Sequence, residues 1–234
     1  MRNLLALGCI AALLAGCASG SNDPRTRFYR SLSEQANPSA VVAAELAFAR
    51  EAREEGQWTA FREFSTGDAV MFVPEAVNAR EWLSGRADPP QPVQWQPHEV
   101  WASCDGSLSV TRGAWQRPDG STGYFTTVWE RQGRAGDNEK YRWVLDQGDA
   151  LAEPLARPDI IQTQVADCGG DGLPATAAPG ANTATQGGGM SRDRTLAYAW
   201  TVAPDLSRTL AVTMLIGGAA EEVLTVSVAA PTGG

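Results

Sequence analysis

Between residues 98 and 146 the chain has little room for anything but an antiparallel sheet. Three segments with strand chemistry, 98–104, 108–116 and 123–132, follow one another at short intervals. Asp105-Gly106 and Asp119-Gly120 stand in the gaps, and Asp-Gly is a dipeptide that tight hairpin turns favour. A charged turn at 134–139 leads to a fourth strand at 141–146. Connections this short leave no space for crossover helices, so the segments pair in sequence order.

Helices precede the sheet. Asn37-Pro38-Ser39 predicts a helix start, with Asn37 as cap and Pro38 in the first turn. Val42, Leu46 and Ala49 fall on one apolar stripe, with Val41, Phe48 and Ala52 beside it. Gly56 stops that helix, and a second short helix holds Trp58, Phe61 and Phe64. Thr66-Gly67-Asp68 reads as a turn before a strand at 69–73, and 77–83 suits a third short helix. Four prolines between 89 and 97 make that stretch a loop or sheet edge. The fold class is α+β.

This order carries a resemblance. Residues 40–149 resemble the nuclear-transport-factor-2-like superfamily, closest to its DUF4440 and SnoaL-like bacterial branches. The resemblance rests on Glu45-Leu46-Ala47-Phe48-Ala49, Gly67-Asp68-Ala69-Val70, Arg112-Gly113-Ala114-Trp115, Gly123-Tyr124-Phe125, Val128-Trp129-Glu130-Arg131 and Arg142-Trp143-Val144-Leu145-Asp146. It implies a cone, in which a curved antiparallel sheet wraps the N-terminal helices and leaves a cavity for a small, largely apolar ligand. The family includes isomerases, dehydratases, cyclases and non-catalytic binders, so the fold alone names no reaction.

Domain organisation follows. Residues 1–16 read as a lipoprotein signal peptide, with a short basic start, an apolar run and the lipobox Leu14-Ala15-Gly16-Cys17. Cys17 is then the lipidated N-terminus, and acyl chains on it anchor the protein to the membrane. Ala18 after it matches an outer-membrane address, with the body facing the periplasm of the cell envelope. Residues 17–37 are a tether and 38–149 the cone domain. Residues 150–194 form a linker rich in Gly, Ala and Pro with little to build a core, and Gln186-Gly187-Gly188-Gly189 reads as a flexible loop within it. Residues 195–230 form a three-stranded β meander that extends the cone.

Composition narrows the functional classes. A formal net charge of -8 argues against nucleic acid as a partner. One histidine, and no close cysteine spacing, leaves few metal ligands, so neither metal nor other cofactor is expected. Cys104 and Cys168, the cysteines outside the signal, are expected to form a disulfide in an oxidising compartment. Eight tryptophans call for a large aromatic core or an aromatic pocket.

Trp58, Phe61, Phe72, Trp82 and Tyr124 are the candidate ligand contacts. His98, Asp68 and Asp146 are weak catalytic candidates, each with a plainer reading. His98 reads also as a strand residue, Asp68 as a turn residue and Asp146 as half of an ion pair with Arg112 or Arg142. The leading expectation is non-catalytic binding of a small hydrophobic or amphiphilic ligand. The alternatives are an enzyme of the SnoaL or ketosteroid-isomerase type, and a structural or protein-interaction module at the outer membrane. A homodimer through the outer sheet face is the oligomer the family suggests, and a monomer is the alternative if the extra C-terminal strands cover that face.

Overall fold

The computed structural model describes residues 36–133, 140–178 and 182–231. The signal peptide, Cys17, nearly all of the tether and the charged turn at 134–139 lie outside them. Helix α1 (Pro38–Glu54) starts as its sequence dictates, with the Asn37 side chain accepting from the Ala40 amide at 3.3 Å. Its buried face is Val41, Glu45, Phe48, Ala49 and Ala52, whereas Leu46 is 47% exposed. The apolar stripe is therefore rotated from the sequence expectation, and it contains a carboxyl.

Gly56, at φ +118°, ends α1 and opens α2 (Gln57–Phe64). Strand β1 (Ser65–Phe72) follows directly, so Thr66-Gly67-Asp68 is irregular strand rather than a turn. Then come β2 (Ala76–Asn78), α3 (Ala79–Leu83), β3 (Gln94–Ala102), β4 (Leu108–Gln116), β5 (Thr122–Gln132) and β6 (Lys140–Leu151). With β7 (Gln162–Val165) they form one sheet in the order β2-β1-β6-β5-β4-β3-β7. The sheet is mixed rather than purely antiparallel, because β1 pairs parallel to β6 and β7 parallel to β3. Register shifts interrupt the β1–β6, β3–β4 and β5–β6 pairs, and such bulges bend the strands that carry them.

The turn at Asp105-Gly106 is wider than a two-residue hairpin. The Ser103 amide donates to the Leu108 carbonyl at 2.9 Å, which leaves 104–107 as the loop. Cys104 lies in this loop and forms a disulfide with Cys168, with a Cα–Cα separation of 5.2 Å.

The C-terminal extension is a second, antiparallel sheet of four strands: β8 (Gln186–Met190), β9 (Leu196–Val202), β10 (Arg208–Ile216) and β11 (Ala219–Val228), in the order β11-β10-β9-β8. The expected meander had missed β8. Its glycines are not flexible filler: a Cβ on Gly187 would lie 2.6 Å from the Trp200 ring, and one on Gly189 would lie 2.7 Å from Tyr198. Absent side chains there let two large rings lie flat on the edge strand. The stretch 150–194 also contributes to the interior, against expectation. Leu173 is fully buried with Ala197 and Leu215, and β7 holds the sheet edge.

Alternation along the strands builds two cores. Trp129, Trp143 and Tyr141 face α1 and α2 with Val41, Phe48 and Ala60. Tyr124, Val128 and Val110 face the opposite way, against Tyr198, Trp200 and Val212 of the second sheet. Helices, large sheet and small sheet are thus three layers. The disulfide ties the β3–β4 loop to the segment that leads into the small sheet, closing a loop across 64 residues. Reducing it, or replacing both cysteines by serine, is expected to cost about 2–4 kcal/mol of unfolding free energy, because the cross-link restricts the unfolded chain. Denaturant unfolding with and without reductant measures this, and coincident curves would refute it.

Candidate functional site

Rings from almost every element of the first layer converge at one end of the large sheet. Phe48 comes from α1, Trp58 and Phe61 from α2, and Trp82 from α3, while Trp95, Trp115 and Phe125 come from β3, β4 and β5. Their edges and faces interlock. Phe48 lies 4.8 Å from Phe61 and 4.9 Å from Trp95, and Trp58 lies 5.9 Å from Trp82 in a near-perpendicular pair. They enclose a cavity of about 450 Å³, in the range of small-molecule sites. Trp115 lies against the backbone of Gly123, where a Cβ would fall 2.3 Å from its ring, so glycine is what admits the indole to the wall.

Asp146 is the carboxyl inside. On β6 it pairs with Met71 of β1 and Thr127 of β5, and the Thr127 hydroxyl donates to Oδ2 at 2.8 Å. The side chain is half-buried, and its accessible part lines the cavity. Burial pushes its carboxyl up to about 7, against the pull of Thr127 and with a further push from the charge of Glu45. Among the described residues the ion pair joins Arg112 to Glu99, so Asp146 is not half of a salt bridge with Arg112 or Arg142. That sequence expectation is corrected.

Glu45 stands behind the wall and was missed as a site residue. It is fully buried on α1, and three side chains donate to it: Trp95 Nε1 to Oε1 at 2.7 Å, and Thr111 Oγ1 and Trp129 Nε1 to Oε2 at 2.6 and 3.0 Å. Burial still raises its carboxyl above the ordinary range, outweighing the lowering by Thr111, Trp95 and Trp129. Through Trp95 it fixes one ring of the cavity. The sequence signal was its spacing: Glu45 sits four residues after Val41 and three before Phe48, in the middle of the buried stripe.

Asp88 fixes a second ring. Its carboxylate accepts from the amides of Trp58 and Thr59 and from the Thr59 hydroxyl, so it caps α2 from a distant loop. Burial pushes its carboxyl up, but the Thr59 hydroxyl and the two amides outweigh that and leave it below the usual range. A depressed carboxyl stabilises the fold above its unfolded value near 4 and loses that contribution as pH falls. Asp88→Ala is expected to cost about 1 kcal/mol at pH 7 and less at pH 3. Thermal melts at the two pH values check this, and a cost that does not shrink in acid would contradict it.

The sequence candidates divide on this geometry. Trp58, Phe61 and Trp82 line the cavity together with Asp146, whereas Phe72 touches its edge and turns its ring toward the small sheet, 5.3 Å from Trp200. Tyr124 does not line it: strand alternation turns it into the core between the sheets, and its neighbour Phe125 faces the cavity instead. Asp68 is exposed on β1, away from the lining, and His98 is buried in β3 outside it. Burial lowers the His98 imidazole, with Glu99 opposing and Arg157 and Arg112 assisting. Neither residue joins Asp146 in one site. Among the described residues no group of three metal-ligating side chains forms, and no helix is long and apolar enough to cross a membrane.

No family model matches the chain, and no curated protein matches it. Among solved structures, a putative aromatic ring hydroxylase from Novosphingobium aromaticivorans aligns with 50% of this chain and 90% of its own, at 13% identity and a TM-score of 0.35. A likeness at that score carries no argument about fold or activity.

Proposed function

We propose that this protein binds a small amphiphilic molecule in its aromatic cavity, as a lipid-tethered protein of the bacterial envelope whose first 149 residues include a nuclear-transport-factor-2-like cone. One observation carries the binding reading: a cavity of about 450 Å³, walled by rings, with a carboxyl inside it. The ring wall suits the apolar body of such a ligand, and Asp146 suits its polar end. Helices packed on one face of a bulged sheet agree with a cone. The Cys104–Cys168 disulfide agrees with an oxidising compartment. The lipobox supplies the tether, and outer-membrane attachment through Cys17 remains the proposal drawn from it.

The small sheet covers the outer face of the large one, the face on which a homodimer was expected. A monomer is the form this favours.

A second reading has its own support. A carboxyl pushed to about 7 in an aromatic cavity has the proton affinity of a general base, as an isomerase-type enzyme needs. Among the described residues the lining adds Asp149 and Arg117 at the rim rather than a histidine, lysine or tyrosine beside Asp146, which favours the binding reading. The interaction-module reading calls for a filled cone and an exposed apolar patch, and the cavity favours binding over it.

Tryptophan fluorescence tests the binding reading, using the exported, oxidised chain from residue 18 onward and a panel of small aromatic amphiphiles. At least one member is expected to bind, and Val93→Trp, which adds a bulky ring to the lining, is expected to weaken that binding at least about tenfold. Binding that the substitution leaves unchanged, or a panel without a single binder, would overturn the reading.

A further inference from the structure

We infer that the ligand suited to this cavity is an organic cation, an amine or quaternary ammonium on a small apolar body. The inference rests on the binding reading above and names its chemistry. The cavity combines two features that a cation uses together. Its wall is built of Trp58, Phe61, Trp82, Trp95, Trp115 and Phe125, and aromatic faces carry negative potential that attracts a desolvated cation. Its interior carries Asp146, which accepts from the Thr127 hydroxyl and which no ion pair reaches among the described residues.

Burial makes ionisation of Asp146 costly, and a positive charge beside it offsets that cost directly. A neutral hydrogen-bond donor would serve one carboxylate oxygen and leave the ring faces unused. An anion would meet the carboxylate head-on. The rim already shows how these rings behave. The Arg86 guanidinium lies 3.5 Å from the centroid of Trp82, and that of Arg117 lies 4.6 Å from the centroid of Trp115.

The other charges around Asp146 fit the same picture. Glu45 stands behind the wall on α1 and Asp149 lies further along β6 at the rim. Arg117 on the β4 side and Arg86 beyond α3 are held on their indoles at the exposed edge, where solvent screens them. Arg208 comes from the small sheet and donates to the Gly148 carbonyl at 2.7 Å, behind the lining.

The test compares benzyltrimethylammonium with its neutral isostere neopentylbenzene by tryptophan fluorescence, on the same oxidised chain. At pH 8 the cation is expected to bind at least about tenfold more tightly. That preference is expected to fall to about threefold or less at pH 5 and in Asp146→Asn, because both remove the carboxylate charge. Equal affinity at pH 8, or tighter binding of the isostere, would overturn the inference. So would a preference that persists undiminished in Asp146→Asn, which would show that this carboxylate does not select the cation. If the isostere binds in a Val93→Trp-sensitive way without any cation preference, the inference fails while the binding reading stands. If neither probe binds and other members of the panel do, the inference fails alone; if nothing binds, both fail.

Discussion

Glu45→Ala lowers the unfolding free energy by about 3–5 kcal/mol, the largest loss expected from a single substitution here. The carboxyl is fully buried and accepts from Trp95, Trp129 and Thr111. Removing it leaves the Trp95 indole N–H without its acceptor in the interior, and opens a void between α1 and β4. Trp129 keeps a second partner, the Thr111 hydroxyl at 3.1 Å, so its share of the loss is smaller. Glu45→Gln retains the volume and an acceptor for Trp95, and is expected to cost about 1 kcal/mol. Urea unfolding of the two variants measures the difference. A loss below about 1 kcal/mol in the alanine variant would show that the hub contributes little. The consequence for the cavity is direct, because Trp95 then loses the bond that orients it.

Asp146→Asn acts in the opposite direction. It is expected to stabilise the fold by about 3 kcal/mol at pH 8 and by close to nothing at pH 4. The sign follows from a carboxyl raised to about 7 in the folded state. Such a group contributes fully below its unfolded value near 4, and that contribution is lost as pH rises through about 7. The wild type therefore weakens between pH 4 and pH 7 while the asparagine variant, which still accepts from Thr127, does not. Paired chemical denaturation curves at pH 4, 6 and 8 test it. A constant difference across that range would contradict the account. Retaining a destabilising carboxylate in a cavity is the pattern of a site kept for function rather than for stability.

How much of this was legible in the sequence differs element by element. The strands from β3 to β6 were readable because alternation and Asp-Gly turns are local signals. The helix caps at Asn37 and Gly56 were readable for the same reason. The glycines of β8 were misread as a loop, since what requires them is two rings on another strand, Trp200 and Tyr198. The buried stripe of α1 was rotated because Leu46 looks like core and Glu45 does not. Only the three donors brought by β3, β4 and β5 make a carboxyl acceptable there. Trp58, Phe61 and Trp82 turn their rings to the cavity, while Phe72 and Tyr124, by strand parity, turn theirs to the small sheet. The direction of Trp115, Trp129 and Trp143 was open in the sequence; Trp129 and Trp143 pack against the helices, and Trp115 lines the cavity. Asp146 was singled out for its strand position, but its burial in the cavity beside the Thr127 hydroxyl belongs to tertiary structure alone.

The most direct test of the central claim is a pH titration of the Asp146 side-chain carboxyl by carbon-13 NMR, assigned by loss of its signal in Asp146→Asn, with and without a bound ligand from the panel. The account predicts a midpoint near 7 in the free protein and a displaced midpoint in the complex. A midpoint near 4 that the ligand leaves unmoved would mean that Asp146 is an ordinary solvated carboxyl, and that the cavity around it is not the site.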